Sequence, residues 1–474
     1  MLFNTAPLRK QHLDFEYEKS MFPAPQRRWN TCCSISNPDQ RRCTIGPQTG
    51  SVVKRVVQSI QMAQLVSSPA THEEPHPSVQ HLHENARSRS TPQQIAADLA
   101  ARFSLTAVER DQRGGTPKPE RDALRASGLL ALSIPSEYGG RGATWQTTLD
   151  VVRIIAAADG SLAHVFAFHH LMLATVRLFG TEQQWGSWFE KTARHDWFWG
   201  NALNPLDDRT ISRSREDWLE FSGQKSFCSG ALDSEMLIAS ARDALTNAFL
   251  VAAVPTQRSG IAVADDWDNI GQRQTDSGTV TFERVRVDHH EVLIEPGPLS
   301  TPFACLRPLI AQLSLAHVYL GISEAAFEDA RHYTLNEARP WPASKLASVG
   351  DDPYILGQYG EFWVGLEAVR TLAARAADRL DSAWARGSAL SEAERGEVAL
   401  AIATAKVAAA QTGLVICTRM FDVAGARATH GSLRLDRYWR NLRTHTLHDP
   451  LAYKMREIGE WALKRIYPTP SFYS

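Results

Sequence analysis

The stretch RYWRNLRTHTLHDP, residues 437–450, combines residue types that could carry out acid–base chemistry. His445 and His448 lie three positions apart and are followed by Asp449 and Pro450. Histidine titrates near neutrality, so it suits a group that must both donate and accept protons. The same spacing on a helix could present two rings to a metal, but a zinc site needs further ligands and none nearby is suited. A solvated helix face would explain the arginines of this stretch, but not two histidines that end at a proline.

Hydrophobic periodicity divides the chain into regions that must position this segment. Residues 91–199 have apolar positions at helical spacing, and residues 200–305 contain the short, turn-bounded β-rich runs of a small barrel or sandwich. Residues 306–474 return to long helices with apolar faces. We therefore predict an α+β, mainly α chain: an N-terminal helical domain, a central β-domain and a C-terminal helical bundle. Residues 1–90 show neither periodicity and predict a disordered leader, with Met62 as an alternative start.

Composition excludes several classes of protein. The 474 residues carry a formal net charge of -1, which leaves no electrostatic footprint for nucleic acid. No apolar run reaches the roughly 18–20 residues of a membrane span. The six cysteines are few and scattered, and only Cys32 and Cys33 are adjacent, so we expect a reduced, cytoplasmic setting.

Three local motifs resemble those of the acyl-CoA dehydrogenase family, whose helical, β and helical domains follow one another in the same order. The segment GLLALSIPSEYGGRGA (128–143) resembles the family's glycine-rich turn, FSGQKSFCSGA (221–231) its flavin hairpin, and NIGQRQTDSGTVTFERVRV (269–287) its strand pair. The likeness covers about residues 95–474 and implies the acyl-CoA dehydrogenase fold.

Within that family, the chain is most similar to flavin-dependent monooxygenases of the dibenzothiophene desulfurization type. The segments AAADGSLAHVFAFHH (156–170), RYWRNLRTHTLHDPLAYK (437–454) and YPTPSFYS (467–474) carry this likeness. It implies an enzyme that receives reduced FMN from a separate NAD(P)H-dependent flavin reductase. Such an enzyme forms a C4a-hydroperoxide with O2 and oxygenates an organosulfur compound, from sulfide to sulfoxide or sulfone. Whether the oxygenated atom is sulfur, nitrogen or carbon stays open.

The resemblance gives the opening segment a role in catalysis. We expect His448 to polarise the distal oxygen of the hydroperoxide, with His445 nearer to the cofactor. The Ser229 hydroxyl could reach flavin N5 or the C4a adduct, although a serine before a glycine is also common in ordinary turns. His164 is expected above the flavin, where it and Phe168 would contact the substrate. A satisfied core histidine is the alternative for His164, and Phe168 stands where the dibenzothiophene enzyme has a tyrosine.

Four further residues are expected to bind the cofactor. Phe227 would supply a flat apolar wall for the flavin ring, and Asn201 would bond its polar edge. Arg339 and Arg427 would bind flavin phosphates across a subunit interface of a homotetramer, as arginines in the family often do. Arg339 could instead compensate the dipole at the end of a long helix. No metal is expected.

The alternative function is FAD-dependent acyl-CoA dehydrogenation. That reaction needs a carboxylate to remove the α-proton of an acyl-CoA, often a glutamate in the motif YEGT. Here LHDP stands in that region, with Asp449 at the position of the glutamate and Pro450 at that of the glycine. Aspartate is one methylene shorter, so the role of Asp449 as a base is in doubt and the monooxygenase is favoured. A third hypothesis is a helical assembly protein that has lost its flavin, against which Ser229, Arg339 and His448 argue.

Overall fold

The computed structural model describes residues 90–474, so the predicted leader, apart from residue 90, lies outside the described residues together with Met62. The first six helices are α1 (Pro92–Ser104), α2 (Ala107–Arg113), α3 (Lys118–Ala126), α4 (Trp145–Ala158), α5 (Gly160–Phe179) and α6 (Glu182–His195). The apolar pattern of residues 148–179 predicts one continuous run, but the chain breaks it at Asp159. The Asp159 side chain accepts hydrogen bonds from the backbone N–H groups of Ser161 and Leu162 and so caps α5.

The central strands form one seven-stranded sheet. Its strands are β1 (Trp199–Ala202), β2 (Ile211–Ser214), β3 (Trp218–Lys225), β4 (Met236–Asp243), β5 (Phe249–Pro255), β6 (Ile261–Val263) and β7 (Val280–Asp288). The strand order is β1-β4-β2-β3-β7-β6, and β5 pairs with β4. Strand β4 runs parallel to β1 and β2 but antiparallel to β5. Asn201, one of the predicted cofactor-binding residues, lies within β1.

Long helices return after the sheet, as the sequence predicts. They are α7 (Arg307–Asn336), α8 (Pro353–Arg386), α9 (Glu392–Ala424), α10 (Asp436–His445) and α11 (Leu451–Lys464). Helix α7 is central, since it packs against α4, α5, α8 and α9. At Gly321 the backbones of α7 and α4 approach so closely that an added Cβ would lie 2.3 Å from the Arg153 carbonyl oxygen. The chain is therefore mainly helical, with the sheet between its two helical parts in sequence.

Two hydrophobic cores hold these elements together. The larger core joins the helices to one side of the sheet, including Trp199, Met236 and Ile238. A smaller core lies among the strands themselves, around Phe221 and Leu237. Alternate residues of β4 thus enter different cores, as the period of two along a strand requires. The sheet is therefore buried on both sides along this strand.

Within residues 90–474, three helical segments are long and apolar enough to cross a membrane by length and composition, which contradicts the expectation from the sequence that no apolar run reaches that length. They are Gly160–Phe179, Ala304–Asn336 and Glu392–Ala424. In the most apolar window of each, 94%, 100% and 61% of the residues are buried inside the protein. Packing against the other helices therefore accounts for most of this apolar surface.

Candidate active site

A cavity of about 960 Å³ lies where the sheet meets helix α5 and the end of helix α10. Its volume falls at the upper end of the range typical of small-molecule sites, roughly 300–1,000 Å³. Seven of the predicted site residues line it: His164, Phe168, Asn201, Phe227, Ser229, His445 and His448. The fold thus brings these seven residues, which are far apart in sequence, to one cavity.

A line of hydrogen bonds runs along the wall of this cavity. The Ser229 hydroxyl is 2.7 Å from the Ser277 hydroxyl and 2.9 Å from His164 Nε2. On its other side, His164 Nδ1 lies 2.9 Å from His445 Nε2. The Ser277 hydroxyl is also 2.7 Å from that of Thr275. All five side chains are buried, so proton positions along the line depend on one another rather than on solvent.

Both histidines of this line are neutral at pH 7. Burial lowers the pKa of His164 to about 3, and burial also holds the pKa of His445 well below its ordinary value. A neutral imidazole has one N–H donor and one acceptor nitrogen. The hydrogen bonds between the two histidines and Ser229 can therefore run in only two directions, from His445 towards Ser229 or the reverse. In either one, His445 Nδ1 is buried without a hydrogen-bond partner among residues 90–474. That nitrogen is available to a ligand in the cavity.

The turn that presents Ser229 is fixed by residues outside the cavity. Phe227 and Gly230 both have positive φ, 59° and 72°, and for phenylalanine this is a strained conformation. Arg121 holds the turn, because its Nη2 donates to the Gly230 carbonyl at 3.0 Å and its Nη1 to Asp276 Oδ2 at 2.8 Å. The strain at Phe227 places a phenylalanine ring, 59% exposed, in the cavity wall.

His448 lies at the mouth of the same cavity and is oriented by Asp449. His448 Nδ1 is 3.3 Å from Asp449 Oδ1, and its Nε2 has no protein partner in the described part of the chain. Asp449 is buried and forms an ion pair with Lys406, whose ammonium group also donates to Gln312 Oε1. Burial alone would raise the pKa of Asp449, but the hydrogen bond from His448 and the charge of Lys406 hold it well below its usual range. Asp449 is therefore an occupied carboxylate rather than a base open to a substrate.

The cavity fits a flavin in shape and in polar groups. Phe227 and Trp267 form an aromatic corner, with ring centroids 6.0 Å apart and planes at 74°. Three buried polar atoms of lining residues have no partner among residues 90–474: Gln272 Oε1, Thr444 Oγ1 and His445 Nδ1. A planar heteroaromatic ring with a polar edge needs this combination of surfaces. Sequence reasoning missed Trp267, Gln272 and Thr444, although Trp267 lies two residues before the motif NIGQRQTDSG and Gln272 lies within it.

Arg339 and Arg427 are not part of the cavity lining of the single chain. Arg339 lies three residues beyond the end of α7 at Asn336 and is exposed, so it does not sit on the helix end. Arg427 is also exposed, and its Nη2 donates to the carbonyl oxygen of Glu337 at 2.6 Å. The two arginines thus lie on neighbouring loops, and their contact with a cofactor stays a prediction that involves a second copy of the chain.

Comparison with known proteins places these observations in a family. Residues 89–196 match the family model for the N-terminal domain of acyl-CoA dehydrogenases, and residues 313–452 match that for the C-terminal domain. The "probable FMNH2-dependent monooxygenase SfnC" of Pseudomonas putida is 65% identical over 381 residues, which are 80% of this chain and 96% of that protein. Dibenzothiophene monooxygenase of Rhodococcus erythropolis is 40% identical over 413 residues, 84% of this chain and 99% of that protein.

A solved structure extends the likeness to three dimensions. Methanesulfinate monooxygenase MsuC of Pseudomonas fluorescens is 65% identical, with a TM-score of 0.81, and the match covers 81% of this chain and 100% of that one. These relatives favour the flavin-dependent monooxygenase over the acyl-CoA dehydrogenase, in agreement with the occupied Asp449. The chain belongs to the acyl-CoA dehydrogenase family and, within it, to the FMNH2-dependent monooxygenases.

Proposed function

We propose that this chain is the oxygenase of a two-component system that transfers one atom of O2 to the sulfur of a small organosulfur compound. Reduced FMN would come from a separate NAD(P)H-dependent flavin reductase. The observation that best supports the proposal is the hydrogen-bonded line from Ser277 to His445, beside His448, in one cavity. The names of the relatives support the substrate class, since they refer to methanesulfinate and to dibenzothiophene, both organosulfur compounds.

The chain's own residues would hold and orient the reactants. When bound, reduced FMN supplies two electrons for the cleavage of O2. Phe227 and Trp267 would enclose the ring. The Asn201 amide would bond its edge, because Asn201 lines the cavity and, among residues 90–474, its side chain is engaged only at Oδ1, by the Leu203 N–H. Ser229 would act as a fixed hydroxyl donor when His164 Nε2–H and the Ser277 hydroxyl both donate to its oxygen, because its single proton is then left for the ligand.

His448 would handle the proton that accompanies oxygen transfer. Asp449 binds its Nδ1, so the tautomer with the proton on Nδ1 is favoured and Nε2 is left as the group that faces the reactants. Phe168, whose ring centroid lies 4.1 Å from that of His164, would cover the substrate side. This division leaves the buried histidines as a neutral relay and His448 as the acid–base group.

We further propose that the protein works as a cytoplasmic homotetramer. Large hydrophobic side chains are exposed on and around helices α8 and α9: Trp341, Tyr354, Trp363, Val364 and Val415. Exposed apolar residues in such number usually mark an interface. An assembly that covers them would also bring Arg339 and Arg427 towards another chain. The buried free thiols of Cys228, Cys305 and Cys417 suit a reducing compartment.

The test is an oxygen-uptake assay with FMN, NADH and a flavin reductase across alkanesulfinates, sulfides, sulfones and thiophenes. We expect oxygen consumption that is coupled to an oxygenated sulfur product for at least one class. Anaerobic reduction of bound flavin by an acyl-CoA, without oxygenation of any sulfur compound, would overturn the proposal. Light scattering tests the assembly: a monomeric mass in a protein that binds FMN normally would contradict it.

A further inference from the structure

Arg307, the first residue of α7, is a buried arginine that has no acidic partner among residues 90–474. It is 6% exposed, and its Nε donates to Thr175 Oγ1 at 3.3 Å, the only hydrogen bond of its side chain within residues 90–474. In that part of the chain, no carboxylate oxygen lies within 4.0 Å of the guanidinium group. Arg110 and Arg121, which are as deeply buried, each pair with carboxylates, at 2.6 Å with Asp159 and at 2.8 Å with Asp276.

A buried and unpaired charge is unfavourable for folding. Burial lowers the pKa of Arg307 to about 10, so the side chain keeps its charge at neutral pH and cannot escape the penalty by losing a proton. The cost of an uncompensated buried ion is several kcal/mol. Proteins accept such local penalties mainly where function requires them. The missing anion is therefore expected to arrive as a ligand.

The space beside Arg307 is small and adjoins the large cavity. Arg307 and Gln312 line a chamber of about 40 Å³, and Phe168, His448 and Tyr473 line both this chamber and the large cavity. Because one water-sized group needs roughly 10–15 Å³ measured in this way, the chamber holds about three or four such groups. An alkanesulfinate with one carbon has that size. A fused three-ring thiophene does not fit.

We propose that this chamber is the substrate subsite of the oxygenase, and that Arg307 binds the acid group of a small organosulfur anion of the alkanesulfinate class. The inference rests on the proposed function and adds a charge-based preference for small anions, with neutral sulfur compounds as poorer substrates that do not depend on Arg307. A guanidinium fork can bind both oxygens of a sulfinate, which leaves the sulfur lone pair free for reaction. His448, which lines both spaces, would stand between the anion and the oxygen donor.

The reaction balances with the reactants already named. The sulfur lone pair forms a bond to one atom of O2, the O–O bond breaks, and the other atom leaves as water with the two hydrogens of reduced FMN. O2 gains four electrons, two from sulfur and two from the flavin, so a sulfinate becomes a sulfonate. The product keeps its charge, and we therefore expect the sulfonate to bind at Arg307 as a competitive inhibitor.

The first test compares Arg307→Met and Arg307→Lys on methanesulfinate and on methyl phenyl sulfide, a neutral substrate. Loss of a buried charge pair predicts that Arg307→Met lowers kcat/KM for methanesulfinate by ~10²-fold, and that for the sulfide by less than about 3-fold. Arg307→Lys should recover part of the loss. Equal loss on both substrates, together with a lower melting temperature, would show that Arg307 is structural and would overturn the proposal.

The second test measures binding without flavin. Methanesulfinate or methanesulfonate should raise the melting temperature of the wild type but not that of Arg307→Met. Without ligand, Arg307→Met should not lower the melting temperature, whereas the matched control Arg110→Met, which breaks paired charges, should lower it. A ligand-induced shift that persists in Arg307→Met would overturn the anion site.

The two proposals can fail separately. If the wild type oxygenates methyl phenyl sulfide and Arg307→Met leaves methanesulfinate turnover unchanged, the anion site is wrong and the oxygenase stands. If no sulfur compound is oxygenated but methanesulfinate binds in an Arg307-dependent way, the proposed function is wrong and the anion site stands.

Discussion

At the scale of single residues, the site contains two kinds of histidine. His164 and His445 are buried, neutral at pH 7 and hydrogen-bonded to one another. They can therefore relay the direction of hydrogen bonding, but they carry no charge. His448 is partly open to solvent and has a carboxylate behind it. A group that must exchange protons with the reactants and with water needs the second kind of surroundings.

Replacing His448 should therefore separate chemistry from cofactor binding. We expect His448→Ala to lower product formation by ~10²-fold or more, the usual scale for one acid–base group, while FMN affinity changes only a few-fold. Hydrogen peroxide should rise in proportion as oxygen is consumed without product. His430→Ala, at an exposed histidine on a surface loop, is the control and should be neutral. Parallel loss of FMN binding in His448→Ala would contradict the assignment.

Because Asp449 contacts both His448 and Lys406, its role in orienting His448 can be tested separately from its contribution to the stability of the fold. Asp449→Asn leaves the buried Lys406 charge unpaired, so we expect it to lose about 3–5 kcal/mol of stability as well as activity. Adding Lys406→Met should restore much of the stability, but not the activity, because His448 still lacks its carboxylate. Denaturant unfolding and product assays on both single variants and the double variant check this. Recovery of activity in the double variant would rule out an orienting role.

The sequence identified the residues of this site that belong to motifs, and it missed those defined by packing. His164, Ser229, His445 and His448 stand in segments that resemble a known family, so their meeting in one cavity could be expected. Lys406 and Arg307 lie in helical segments where a basic residue usually reaches solvent. Their burial follows from contacts with distant parts of the chain, as does the carboxylate partner that Lys406 has and that Arg307 lacks among residues 90–474.

At the scale of elements, two loops complete a site that helices α5 and α10 also line. Helix α3 holds both of these loops in place. Arg121 in α3 reaches the turn at Gly230 and the loop at Asp276, which carry Ser229 and Ser277 beside them. Its guanidinium also lies 4.2 Å from the ring centroid of Phe198, just before β1. The N-terminal helices thus fix the geometry of the hydrogen-bonded line from Thr275 to His445. They contribute one of its five residues, His164.

Arg121→Met should consequently affect both stability and catalysis. We expect a loss of about 3–5 kcal/mol, because Asp276 is left buried without its partner, and a fall in activity as Ser229 loses its fixed position. The control is Arg113→Met, whose pairing with Glu109 is exposed and should contribute at most about 0.5 kcal/mol. Full activity in a destabilised Arg121→Met, assayed below its melting temperature, would argue against the positioning role.

Helix periodicity located the long elements well, and the short ones poorly. The apolar patterns of residues 311–338, 353–387 and 392–426 correspond to α7, α8 and α9. Strands β1 and β2 have four residues each, too few for a visible alternation. Strand β1 pairs with the distant β4, and β2 pairs with β4 at Ile211 and Ser212 in addition to its sequence neighbour β3; this long-range pairing is absent from the local sequence.

At the scale of the whole molecule, buried histidines should make the fold sensitive to acid. Burial lowers the pKa of five of them below the ordinary 6.5: His164, His169, His170, His317 and His445. In the unfolded chain these residues bind protons below pH 6.5, whereas the folded protein resists protonation until pH falls to about 3. Their contribution is thus fully present above pH 6.5 and is lost as pH falls below it.

We expect the free energy of unfolding to fall between pH 6.5 and 5 by about 1.4 kcal/mol per pH unit for each such histidine. His317→Leu, in the core of α7, removes one of them outside the active site. Its unfolding free energy should therefore depend less steeply on pH, by about one proton. Denaturant unfolding at pH 7.5, 6.5 and 5.5 measures both slopes, and identical slopes for the two proteins would contradict the prediction.

The apolar character of α7 has a consequence for how the chain is made. This helix is as hydrophobic as a membrane span and relies on α9 for much of its cover, yet α9 ends roughly ninety residues later in the sequence. At about 5–20 residues per second, a ribosome leaves several seconds during which α7 has emerged without that partner. During this interval the nascent chain presents a surface that chaperones and membrane-insertion machinery recognise. A chain terminated shortly after α7 should consequently partition into membranes or aggregates, although the finished protein buries the whole of this helix's most apolar window.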